Sequence, residues 1–218
     1  MEIQDIRTFG RRHTKKLSNN KQYLIDNILP IIKPLKETQK DIILEIGFGG
    51  GEHMLELSKR YPDSLIIGSE PFINGVASLL SSISKNNLIL DEFKNINIYP
   101  DDVRIFLNDK NYKNLKFSKI YILHPDPWPK KKHTKRRLLN SDFLKLISSK
   151  LDNQGYIIIG TDHYEYYDWL KEQIINTSLK IKEEISNNEL VIKTKYQIKN
   201  KANTEFTKYI ILENKIND

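Results

Sequence analysis

Cysteine is absent from the 218-residue chain, so disulfides and thiolate metal sites are excluded. Long apolar runs are absent too: no stretch approaches the roughly 20 apolar residues that a membrane helix needs. The opening, Met1 to Lys16, is polar and basic and lacks the apolar segment of a secretory signal. A cytoplasmic protein with no membrane association is the expectation. Nothing resembling an internal repeat, a low-complexity segment or an interdomain linker interrupts the chain. Its length suits one domain with a full hydrophobic core, spanning 1–218, with 1–19 as a basic arm and 41–213 as the core proper.

What the chain has in surplus is positive charge, a net +7. The charge is clustered. Arg7, Arg11, Arg12, Lys15 and Lys16 crowd the start, and Lys130, Lys131, Lys132, Lys135, Arg136 and Arg137 crowd a later loop. Clustered cations of this kind are the footprint of a phosphate-bearing partner.

Hydrophobic periodicity places helices over 20–29, 51–60, 72–85, 102–107, 141–151 and 163–176. Strands are expected at Asp41–Ile46, Leu65–Ser69, Ile96–Tyr99, Phe117–Leu123 and Tyr156–Gly160, with two more within 181–213. Alternation of strand and helix implies an α/β fold: a mainly parallel, seven-stranded sheet with helices on both faces. The last two strands follow one another directly, so an antiparallel C-terminal edge pair is expected.

Glycines gather where the first strand meets the first long helix, as Glu45-Ile-Gly47-Phe-Gly49-Gly50-Gly51. Such glycines permit a tight turn and let backbone approach a ligand at the carboxyl end of the strands. The spacing fails the dinucleotide pattern G-x-G-x-x-G, and no Gly-Lys-Ser/Thr of a phosphate loop occurs. Instead E-x-G-x-G-x-G resembles the first motif of class I S-adenosylmethionine-dependent methyltransferases. Acids end the next two strands. Glu70 is placed to accept ribose hydroxyls, and Asp102, with Asp101 as its rival, to accept from an adenine amino group. Glu45 complements a sulfonium charge.

The segment His124-Pro-Asp126-Pro-Trp128-Pro-Lys130 has prolines at alternate positions, which remove three donors and stiffen the chain. Asp126 suits guanine, whose Watson–Crick edge offers two donors to one carboxylate. Methylating N7 of guanine needs no general base, because N7 carries a lone pair and no proton. It makes the ring cationic, and a carboxylate stabilises that charge. Trp128 either stacks on a base or covers the sheet edge. The basic run after it is placed to meet phosphate near the reacting base, with His133 as a further RNA contact.

Here the likeness becomes specific. Pro125-Asp-Pro-Trp-Pro-Lys-Lys-Lys-His-Thr-Lys-Arg-Arg-Leu138 resembles the signature of the bacterial tRNA (guanine-N7-)-methyltransferases. Leu44–Gly51, Gly68-Ser-Glu70, Asp102 with Phe106 and Leu107, Thr161-Asp162 and Thr194-Lys-Tyr-Gln197 match further motifs of that family. The basic start, Arg7-Thr-Phe-Gly-Arg-Arg12, is similar as well. The resemblance implies a Rossmann-like class I methyltransferase that methylates N7 of a guanosine in the tRNA variable loop, position 46. Glu45, Gly47, Gly49, Glu70, Asp102 and Asp126 would bind S-adenosylmethionine, with Asp126 also catalytic. Lys130, Asp162, Thr194, Lys195, Tyr196 and Gln197 would bind the tRNA substrate. Lys132, His133, Thr134, Lys135, Arg136 and Arg137 would lie against RNA. Gln197 departs from the glutamate that many members carry, and the stretch Ile198–Thr204 lacks their glycine.

No metal is expected, since no ligand spacing appears among the five histidines. His53 and His163 are read as structural, and Tyr164, Tyr166, Tyr167 and Trp169 as helix packing. Two rival functions remain, a methyltransferase for another substrate and an RNA-binding protein without activity. The fold would suit a monomer or a homodimer equally.

Overall fold

The structure, a computed structural model, describes residues 8–10, 12, 16–186 and 207–215. Arg7, Arg11, Lys15 and the expected substrate segment Thr194–Gln197 lie outside the described residues. The chain forms two compact units, Met1–Leu115 and Lys116–Asp218.

The first unit is built on three parallel strands, β1 (Ile42–Ile46), β2 (Leu65–Ser69) and β5 (Ile96–Tyr99), in the order β5-β2-β1. Every residue of β1 and β2 is buried, which is why both open on consecutive apolar residues rather than alternating with polar ones. Helices α1 (Asn19–Asn27), α2 (Glu52–Arg60), α3 (Ile73–Ile83) and α4 (Val103–Asn108) connect or flank them. Met54 and Leu57 of α2 are fully buried. Leu55 is only half-buried, and His53 and Ser58 occupy the inner face with them. The third helix stops at Ile83, short of the expected Lys85. The chain instead enters a small hairpin, β3 (Ser84–Lys85) with β4 (Leu88–Ile89). Its turn residues Asn86 and Asn87 both take positive φ, 50° and 62°, the conformation that favours Asn in a two-residue hairpin turn.

The second unit contributes β6 (Phe117–Leu123), β7 (Leu151–Thr161), β8 (Leu179–Ile185) and β9 (Lys208–Asn214), in the order β6-β7-β9-β8. β6 and β7 are parallel, whereas β9 runs antiparallel to both β7 and β8. The expected antiparallel C-terminal pair is therefore present, and the seven strands make a seven-stranded, mostly parallel sheet. Helix α5 (Ser141–Ser148) is capped by Asn140, whose side chain accepts from the Phe143 amide at 3.0 Å. It ends before Leu151, which opens β7; the sequence hid that early start because Asp152, Asn153 and Gln154 are polar. Helix α6 (Tyr164–Ile175) follows, with His163 at its N-cap.

Candidate active site

In the first unit the glycine turn leaves β1 through Gly47, Gly49 and Gly51, whose φ angles are 75°, 57° and 87°. L-residues with a Cβ rarely adopt these values, which explains the clustering. A Cβ on Gly47 or Gly49 would meet nothing within 4 Å, so the turn lines open space there. Below the turn packing is close, for a Cβ on Gly75 of α3 would run into the Gly49 carbonyl. The Gly47 amide donates to the Ser69 carbonyl at 2.8 Å, tying the ends of β1 and β2 together.

Three expected acids meet this turn or its neighbours. Glu70 is buried and bridges two backbone donors: the Gly49 amide at 2.7 Å on Oε2 and the Phe72 amide at 2.8 Å on Oε1. Glu45 is 3% exposed, and its Oε2 lies 2.9 Å from Nδ1 of His53, itself 2% exposed. His53 thus has a buried acid as its partner. Sequence reasoning read it as structural; the available signal was a histidine one residue into the helix that follows the Glu45 strand.

Asp102 is buried. Its Oδ1 accepts from the Arg104 amide and Nε, each at 2.9 Å, and its Oδ2 accepts from Arg104 Nη2 at 2.7 Å and from the Thr8 hydroxyl at 2.8 Å. Asp102 is the N-cap of α4 through the bond from the Arg104 amide, and its other bonds come from the Arg104 guanidinium and the Thr8 hydroxyl. Burial alone would raise its carboxyl, but the hydrogen bonds from Arg104 and Thr8 outweigh burial and hold it below the usual carboxylate range. The neighbour Asp101 is partly exposed. Its Oδ1 receives the Asp102 amide at 2.8 Å and the Arg12 guanidinium.

In the second unit the proline loop leaves β6 with His124 at φ 51°, and Trp128 sits at φ 42°. Each non-glycine residue in that region costs on the order of 1–3 kcal/mol, and such strain gathers where geometry serves function. The His124 amide donates to the Gly160 carbonyl at 2.8 Å. Its Nδ1 stands 3.7 Å from Asp162 Oδ1. Burial lowers the His124 pKa, against the opposing pull of Asp162, so the ring is neutral at physiological pH. Between the two strained residues Asp126 is exposed.

The basic run folds back on this loop as a 3₁₀ turn over Lys131–Arg136. Lys130, Lys131, Lys132 and Lys135 are exposed, and His133 and Thr134 are half-buried. The Arg136 guanidinium lies 5.0 Å from the Trp128 ring, and the His133 ring meets Trp128 edge-on at 5.7 Å. Trp128 therefore carries members of the basic run, which neither sequence reading of that residue anticipated. Arg137, expected against RNA, is 5% exposed and packs against the Tyr166 and Trp169 rings. Tyr166 and Tyr167 are buried, as a packing role requires, while Tyr164 is exposed. Among the described residues no group of three or more histidines and acids is placed to hold a metal. No helix among them is long and apolar enough to cross a membrane.

Comparison with known proteins agrees with this geometry. Residues 39–209 match the family model described as "Putative methyltransferase". The tRNA (guanine-N(7)-)-methyltransferase of Neorickettsia sennetsu is 35% identical over 187 residues, covering 86% of this chain and 81% of that protein. The enzyme of the same name from Wolbachia pipientis wMel is 39% identical over 172 residues, 78% of this chain and 75% of that one. Among solved structures, the 16S rRNA methyltransferase KamB superposes with a TM-score of 0.58 at 9% identity, covering 92% of this chain and 96% of that one. That likeness speaks for the fold alone, a Rossmann-like class I methyltransferase.

Proposed function

The chain belongs to the family of bacterial tRNA (guanine-N7-)-methyltransferases, and we propose that it transfers the methyl group of S-adenosylmethionine to N7 of a guanosine in tRNA. The target we assign is the variable-loop guanosine at position 46, met in the cytoplasm.

The first unit fits the donor. Open space beside Gly47 and Gly49 admits a ligand against the backbone, and Glu70, fixed at the turn by the Gly49 and Phe72 amides, is the acid for the ribose hydroxyls. Glu45 supplies buried negative charge, a complement to a cationic ligand. Asp101 replaces Asp102 as the acid for the adenine amino group, because Asp102 is committed to Arg104 and Thr8. When bound, S-adenosylmethionine supplies an electrophilic methyl carbon on a sulfonium.

The observation that carries the choice of substrate is the proline loop. Asp126 is presented between Pro125 and Pro127 on backbone strained at His124 and Trp128, directly before a run of exposed lysines. Asp126 accepts the two Watson–Crick donors of guanine and stabilises the positive charge that the base acquires. The N7 lone pair attacks without deprotonation, so alignment supplies the rest of the acceleration. Lys130 and Asp162 hold the target nucleotide, and the Thr194–Gln197 segment contributes from outside the described residues. Lys132, His133, Thr134 and Lys135 meet the RNA backbone. Replacing Asp126 by Ala tests the assignment: turnover should fall at least about 100-fold with S-adenosylmethionine binding retained. Turnover like that of the wild type would sink the assignment.

A further inference from the structure

The six cations of the Lys130–Arg137 run share a sequence neighbourhood but not an environment. Four lysines are exposed, whereas Arg137 is 5% exposed. Removing an ionised group from water costs several kcal/mol unless strong partners replace the solvent. The partners of Arg137 all belong to the framework of the loop. Its Nε donates to the Pro127 carbonyl at 2.8 Å. Its guanidinium lies 4.7 Å from the Trp169 ring and 5.3 Å from the Tyr166 ring. Those two rings stack on each other at 5.4 Å with 19° between their planes, one helical turn apart on α6. The Arg137 amide also closes the 3₁₀ turn by donating to the Thr134 carbonyl at 3.0 Å.

We propose that Arg137 is a positioning residue that fixes the proline loop, and with it Asp126, to helix α6. Pro127 adjoins Asp126 in the chain, so the Nε bond holds the peptide unit next to the reacting carboxylate. The side chain carries the rigidity of a packed helix into a loop with few donors of its own, because proline removes them. Only a planar guanidinium can lie on the aromatic pair and direct Nε at a carbonyl; an ammonium is a point charge without that plane. The basic run is thus divided: its exposed lysines face the nucleic acid, and its last arginine holds the loop. This inference rests on the reading of Asp126 as the catalytic residue.

Arg137→Lys keeps the charge and most of the stem but loses the plane and the Nε donor. At saturating S-adenosylmethionine and tRNA its kcat should fall roughly 10- to 100-fold, the cost of a misplacement near 1 Å. The S-adenosylmethionine Kd and the salt slope of tRNA binding should stay as in the wild type. The chain has two tryptophans, Trp128 and Trp169, so in Trp169→Phe the remaining fluorescence reports the proline loop. Adding Arg137→Lys to that background should increase acrylamide quenching of Trp128. An unchanged kcat, or a loss confined to tRNA affinity with a shallower salt slope, overturns the proposal. If Arg137→Lys loses S-adenosylmethionine affinity through general unfolding, Trp169→Phe alone carries the test. A lower kcat at unchanged salt slope then supports the proposal, and an unaltered kcat refutes it. If the wild type methylates no tRNA, what fails is the underlying reading rather than the role of Arg137.

Discussion

His53 Nδ1 and Glu45 Oε2 lie 2.9 Å apart, and neither side chain reaches solvent. At the second residue of α2, the imidazole orients the acid near the end of β1. Losing a hydrogen bond to a charged group costs about 1.5–3 kcal/mol. His53→Leu should therefore weaken S-adenosylmethionine binding by roughly 10- to 100-fold. His53→Asn should recover part of the loss, because an Asn amide nitrogen can stand where Nδ1 stands. Calorimetric titration checks both variants; equal affinity for wild type and His53→Leu would remove His53 from the site.

Asp101 and Asp102 separate cleanly by their partners. Asp102→Ala deletes the cap of α4 and should cost about 0.5–2 kcal/mol of stability from the cap alone. That loss lowers Tm by a few degrees, at about 2–4 °C per kcal/mol for a chain of this size. Asp101→Ala should lower S-adenosylmethionine affinity with a smaller change in Tm. The reverse pattern would restore Asp102 as the ligand acid.

Much of this was legible in the sequence, and the reasons are specific. Buried parallel strands such as β1 and β2 open on three consecutive apolar residues and run into the glycine turn or its neighbouring acid, so their bounds were readable almost to the residue. The glycine turn announced itself because positive φ demands glycine. Partner choice was not legible. Asp102 and Arg137 stand beside residues of the same charge, and only the folded chain shows which of each pair turns inward. The Asn86-Asn87 hairpin was hidden because its strands are two residues each.

Salt dependence distinguishes the exposed cations from the buried one. Replacing Lys132 and Lys135 together by Ala should reduce the slope of log K against log salt by about 1.4–1.8, two phosphate contacts at about 0.7–0.9 each. Filter binding to tRNA across a salt series measures it. A slope unchanged from the wild type would place the RNA elsewhere.

His124 gives the protein an acid sensitivity. Burial depresses its pKa below the ordinary 6.5, so the unfolded chain binds a proton that the folded one refuses. Stability then rises with pH across the window between the depressed value and 6.5, and is lost on acidification through it. Thermal melts over that window should show a falling Tm toward acid, less steep in His124→Asn. Parallel profiles for the two proteins would contradict this origin.

The central claim is the reaction itself, and it is tested by incubating the protein with methyl-labelled S-adenosylmethionine and an unmodified tRNA transcript, then resolving the nucleosides. The account predicts label in 7-methylguanosine, mapping to the variable loop. Label in any other nucleoside, or none while the tRNA is still bound, would contradict it.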